Sequence, residues 1–179
     1  MQIRDKYARR RFLLVLALVC AFLEIGVAPN IQIMSGSINF ALIFASVVAL
    51  MFGGPIGVVS GFLAGFFFDL STTGPIGLMA LLLSISSYIL GIEVRNRLVE
   101  DTQAAIKNAA IAIVAVSLLY SLLMLASGNT ASFADALLLR ALPTSAATFI
   151  VFIPFAVALS RKGSRGPDLS GARAGKRLG

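Results

Sequence analysis

The distribution of apolar residues constrains this chain more than any motif in it. Six mainly apolar runs follow one another with short polar breaks between them, at 12–28, 38–52, 53–70, 74–92, 109–126 and 136–159. A helix needs about 20 residues to cross the hydrocarbon core, at about 1.5 Å per residue. Several runs are shorter, which calls for local thinning of the bilayer or for ends buried in protein. A backbone in lipid must satisfy its own hydrogen bonds, so runs of this kind fold as helices. The breaks carry turn chemistry: Pro29-Asn30, Ser35-Gly36-Ser37, Gly53-Gly54-Pro55, Ser71 through Pro75, and Ser127-Gly128-Asn129. The expected fold is an all-α integral membrane protein, a bundle of six transmembrane helices spanning residues 1–159 with a tail at 160–179.

Composition removes several classes of function. Of the 179 residues 58% are hydrophobic and 13% charged, against about 25% charged in an ordinary globular domain. Cys20 is the sole cysteine, so neither a disulfide framework nor a thiolate metal cluster is available. Histidine is absent, which takes away the usual base near neutral pH and the commonest metal ligand. No metal and no cofactor is expected. The net charge of +7 flanks the apolar runs and has no basic, aromatic-interleaved domain to occupy, so it argues for topology and against nucleic acid.

Orientation follows from where Lys and Arg lie, because cytoplasmic loops retain them. With the N-terminus inside and six crossings, the cytoplasmic regions hold Arg4, Lys6, Arg9, Arg10, Arg11, Arg95, Arg97, Lys107, Arg161, Lys162, Arg165, Arg173, Lys176 and Arg177, leaving only Arg140 outside. One crossing more or fewer would scatter this charge to both sides. The basic start fits the leader of a signal peptide, but no cleavage site leads into a soluble domain, so the first run is read as a retained anchor. The Gly-rich basic tail is expected to be disordered and to lie near anionic headgroups. The mixed-charge loop at 93–108 is read as a solvated connector or as a helical extension of the fourth or fifth segment.

In the third segment Gly57, Gly61 and Gly65 recur at four-residue spacing and Asp69 continues the line. Residues so spaced stack on one helix face, making a groove without side chains. Such grooves let another backbone approach closely in lipid. The third segment is therefore expected to be a central packing helix, its groove filled from within the bundle or by a partner. Asp69 lies about 22 Å along the segment, near the outer side, with Glu24 and Arg140 in the same layer. An intramembrane acid needs a partner or water. Arg140 is expected either to pair with Asp69, Glu24 or both, or to reach interfacial water independently. Pro154 is expected to bend the last segment and free carbonyls that Thr148 or water would satisfy.

The run from Gly54 to Gly91 resembles the rod shape-determining protein MreD family, in a Gly-Phe-Leu-x-Gly core ending on Asp, a short loop, and then Gly-Leu with a small residue. The matching positions are Gly61, Phe62, Leu63, Gly65 and Asp69, then Gly77, Leu78 and Ala80. The sequence departs from the family where Ile38-Asn39-Phe40 stands for Pro-Asp, and near Ala147 and Thr148, where an Asn is common. The resemblance implies a multi-pass protein of the bacterial inner membrane with both termini cytoplasmic. It implies a partner, MreC, in the rod (elongation) complex that couples MreB filaments to RodA and a penicillin-binding transpeptidase for side-wall peptidoglycan synthesis. It also implies a fold distantly similar to the substrate-binding subunits of energy-coupling factor transporters.

Two functions compete on these grounds. One is a non-enzymatic scaffold that docks MreC. The other is a vitamin- or metal-capture subunit, which needs polar side chains converging on an outer cavity; Glu24, Asn30, Gln32, Asn39, Asp69, Asn129 and Arg140 are the available ones. Paired catalytic acids or a nucleophile with its base do not stand out, so no enzyme is expected.

Overall fold

A computed structural model describes residues 2–33, 36–96, 102–128, 134, 137 and 140–163. Among them the chain forms six α-helices and one small ribbon: α1 Gln2–Gly26, β1 Gln32–Ile33, β2 Gly36–Ser37, α2 Phe40–Phe52, α3 Gly54–Ser71, α4 Leu78–Asn96, α5 Thr102–Ala126 and α6 Leu142–Gly163. The basic leader is the first part of α1, and α5 begins ahead of the expected 109. Helix α6 continues through Gly163, so the start of the expected tail is helical; residues 164–179 lie outside the described ones. The connector expected at 93–108 is helical at both ends, with 97–101 outside the described residues. The ribbon, pairing Gln32 with Ser37 and Ile33 with Gly36 in antiparallel register, replaces the plain turn expected there.

Among the described residues two helices, Gly54–Ser71 and Ile106–Ala126, are long and apolar enough to cross a membrane; Phe40–Phe52, Leu78–Ile92 and Leu142–Phe155 are shorter apolar stretches. The central element is α2, not α3. Every residue from Phe40 to Ala49 is buried, and α1, α3, α4, α5 and α6 all pack on it. By contrast α3 buries one stripe, Gly57, Gly61, Gly65, Phe68 and Asp69, and exposes Val59, Phe62, Leu63 and Leu70. Helix α1 likewise buries Leu16, Cys20 and Glu24, at four-residue spacing, and exposes Leu14, Leu18 and Phe22.

Glycine makes the α2–α3 hairpin possible. Gly53 caps α2 at φ +54, donating its N–H to the Ala49 carbonyl at 2.9 Å, and Gly54 follows at φ +47, both in the region other residues avoid. Pro55 then sits in the first turn of α3, where its missing N–H costs nothing. Pro154 is accommodated inside α6.

Candidate functional site: a glycine seam and two buried carboxylates

The Gly57, Gly61 and Gly65 face is filled from within the chain. A β-carbon built on Gly65 would lie 2.5 Å from the Ala80 Cα and 2.6 Å from both the Ala80 nitrogen and the Met79 carbonyl oxygen. On Gly61 it would meet the Leu83 carbonyl oxygen at 2.7 Å and collide with the Ser87 hydroxyl; on Gly57 it would lie 3.1 Å from the Ala49 Cα. The α4 backbone therefore rests in the upper groove and α2 touches its lower end. Backbone approaches this close are how membrane helices gain dispersion contacts without a hydrophobic driving force.

Asp69 ends the seam and is 1% exposed. Its Oδ2 accepts from the Gly77 and Ala80 N–H groups at 2.9 and 3.1 Å, and its Oδ1 accepts from the Met79 N–H at 3.1 Å. The Leu78 N–H reaches the Pro75 carbonyl at 3.4 Å and the Leu81 N–H the Gly77 carbonyl at 3.0 Å. Every amide that the first turn of α4 leaves open thus has an acceptor. A carboxylate placed there also meets the positive end of the helix dipole.

Glu24 repeats the arrangement at α2. Its Oε2 accepts from the Phe40 and Ala41 N–H groups at 2.7 and 3.1 Å. Asn39 Oδ1 accepts from the Leu42 N–H at 2.8 Å and the Asn39 carbonyl from the Ile43 N–H at 3.3 Å. The Asn39 N–H in turn donates to Thr148 Oγ1 at 3.1 Å, tying α6 to the start of α2. Thr148 is thus an acceptor for α2, a role not foreseen when it was considered as a partner for the carbonyls below Pro154.

The expected Glu24, Asp69 and Arg140 cluster does not form. Among the described residues no ion pair joins Arg140 to either acid, because each acid is engaged by backbone N–H groups of a different helix. Arg140 lies on a π-helical turn leading into α6 and lines a separate polar pocket with Asn39. Of the other polar candidates, Asn30 donates its side-chain amide to the Gly26 carbonyl at 2.6 Å; the Gln32 side chain and Asn129 fall outside the described residues. Among the described residues no three His, Cys, Asp or Glu side chains gather where they could hold a metal.

The seam and its closing carboxylate lie inside the 7–162 interval that matches the model of the rod shape-determining protein MreD. The chain belongs to the MreD family. No curated protein and no solved structure matches it. Read as an MreD, its role is in determining rod shape. The MreD-like residues fall into two groups in space. Gly61, Gly65, Asp69, Gly77 and Ala80 meet at the α3–α4 seam, Gly77 turning at φ +95. Phe62 and Leu63 point the other way, 50% and 60% exposed.

Leu63 of the second group borders a groove of about 390 Å³ between α1 and α3, floored by Ala41 and Phe44 of α2. Leu13, Ala17 and Ala21 line one wall, and Ser60, Leu63 and Ala64 the other. Ala17 and Ala21 form a small-residue pair at four-residue spacing, a common pattern in membrane helices. Their facing partners Ser60 and Ala64 share that spacing, but only the fold shows that the two rows oppose one another.

Proposed function

We propose that this protein is a non-enzymatic membrane scaffold of the rod complex that binds an MreC-like protein and supports side-wall peptidoglycan synthesis, reaching RodA, the transpeptidase and MreB through that complex. The proposal includes six crossings, both termini cytoplasmic, in the bacterial inner membrane. It also includes a distant fold kinship with energy-coupling factor capture subunits, which would belong to the architecture alone and imply no transport. The observation that carries the reading is the split within the MreD-like residues. The glycine seam is used up inside the chain, so a partner must dock elsewhere. The open α1–α3 groove offers an apolar, small-walled trough of about 390 Å³ shaped for one further membrane helix.

The test is co-purification of an MreC-like protein with the tagged chain from its own membranes in mild detergent. Ala17→Phe and Ala64→Phe fill the groove and are expected to lower capture at least tenfold while the chain stays folded. Undiminished capture by both variants would place the partner on another face, and retention of a vitamin through purification would favour the capture function instead.

A further inference from the structure

Near the ribbon, where α3 ends and α4 begins, lies a pocket of about 90 Å³. Its polar wall comes from separate elements: Thr72 after α3, Ser117, Tyr120 and Ser121 of α5, and Arg140 and Thr144 at the start of α6. Two of these groups are short of partners. Ser117 is 5% exposed and its hydroxyl is buried with no hydrogen-bond partner, a state that ordinarily costs about 1–3 kcal/mol. Arg140 faces the pocket while Asp69 and Glu24, the bundle's buried acids, are occupied by helix N-termini. The Tyr120 hydroxyl is hydrogen-bonded to the Thr72 side chain and feels the Arg140 charge.

We propose that this pocket binds one phosphate group, with Arg140 as its counter-charge and the Ser117 hydroxyl as a donor. Size and chemistry both limit the ligand. At about 30 Å³ of liquid volume for each water, a pocket of about 90 Å³ has the room of a few waters, enough for a tetrahedral oxyanion and too little for a vitamin. A guanidinium pairs strongly with phosphate oxygens. Hydroxyls converging from several elements suit an acceptor that presents oxygens all round better than a flat carboxylate. A free phosphate and the phosphate of a lipid headgroup share this chemistry. The site is distinct from the α1–α3 groove and does not depend on what docks there.

The experiment uses the full chain in neutral maltoside micelles. Sodium phosphate is titrated against sodium chloride at matched ionic strength, and phosphatidylglycerol against phosphatidylcholine in the same micelles, with thermal unfolding followed by far-UV circular dichroism. A saturable rise in Tm is expected, with the half-saturating concentration raised at least tenfold by Arg140→Gln and severalfold by Ser117→Ala. A rise with sodium phosphate identifies a free anion as sufficient; a rise with phosphatidylglycerol alone identifies the headgroup. No rise with either probe, or a response in Ser117→Ala equal to that of the unaltered chain, overturns the proposal. If Arg140→Gln does not fold, Ser117→Ala and Tyr120→Phe decide the matter.

Discussion

Replacing Gly65 with alanine adds a single methyl group where the α4 backbone comes closest to the α3–α4 seam. The new carbon would stand 2.5 Å from the Ala80 Cα, where ordinary contacts are 3.4–4 Å, and the atoms it meets are backbone. No rotamer change relieves this, so α4 must withdraw by about 1 Å, an overpacking that costs about 1–3 kcal/mol. Withdrawal also stretches the Asp69 hydrogen bonds to Gly77, Met79 and Ala80, now 2.9–3.1 Å, each of a charge-assisted kind worth about 1.5–3 kcal/mol when intact. Against this stands the gain from alanine over glycine in a helix, about 1 kcal/mol. The net expectation is a loss of about 2–4 kcal/mol. Gly57→Ala faces only a 3.1 Å approach to Ala49 and should fall within about 1 kcal/mol of neutral, the propensity gain offsetting a shift of a few tenths of an ångström. Gly61→Ala, blocked by the Leu83 carbonyl at 2.7 Å, belongs between them. With no tryptophan in the chain, unfolding by dodecyl sulfate in mixed maltoside micelles is best followed by far-UV circular dichroism. A Gly65→Ala midpoint at or above that of the unaltered protein, or a reversed order of the three variants, would refute the seam as the source of the glycine spacing.

Asp69→Ala removes the acceptor from three amides, two of them buried, and should cost at least about 3 kcal/mol in the same unfolding assay, whereas Asp69→Asn keeps one acceptor oxygen and should recover part of it. For Glu24, Gln should be milder than Ala, because one oxygen already accepts both amides; Glu24→Ala should cost about 2 kcal/mol, and equal losses would contradict the assignment. Arg140→Ala should shift the midpoint by less than about 0.5 kcal/mol in phosphate-free micelles, since among the described residues no acid pairs with it; a loss above about 2 kcal/mol would restore the ion-pair cluster expected from sequence.

The helical class follows from the apolar runs, because period and length in a membrane-like composition leave few alternatives. The four-residue recurrence of Gly57, Gly61 and Gly65 likewise defines a close-packing face before any coordinates. Which helix fills that face does not follow, since small residues on one helix say nothing about the identity of its neighbour. The acids show the same boundary. Both Glu24 and Asp69 need partners inside an apolar bundle, and pairing with Arg140 satisfies charge most simply. The structure uses backbone amides instead, and the N–H groups that donate to Asp69 lie only eight to eleven positions ahead in the chain. Side-chain charge patterns do not register main-chain donors, which every residue but proline carries. Asn39 ahead of an apolar run is a visible helix-start signal, yet its further link to Thr148 spans 109 positions and leaves no local trace. Nor could the centrality of α2 be read from hydropathy, which reports how apolar a segment is and not whether lipid or protein surrounds it.

Helix α2 has 13 residues, a rise of about 20 Å, well short of the roughly 30 Å it would need to cross a bilayer alone. Its opening amides depend on a carboxylate from α1 and its closing turn runs through Gly53 straight into α3. Under the proposed six-crossing topology, therefore, α2 would have no independent foothold during synthesis: it would have to wait at the translocation machinery for its neighbours and enter the bilayer together with them. Faults in α1 or α3 should accordingly surface as failed biogenesis and rapid degradation of the newborn chain, well before any lesion in cell shape can be scored.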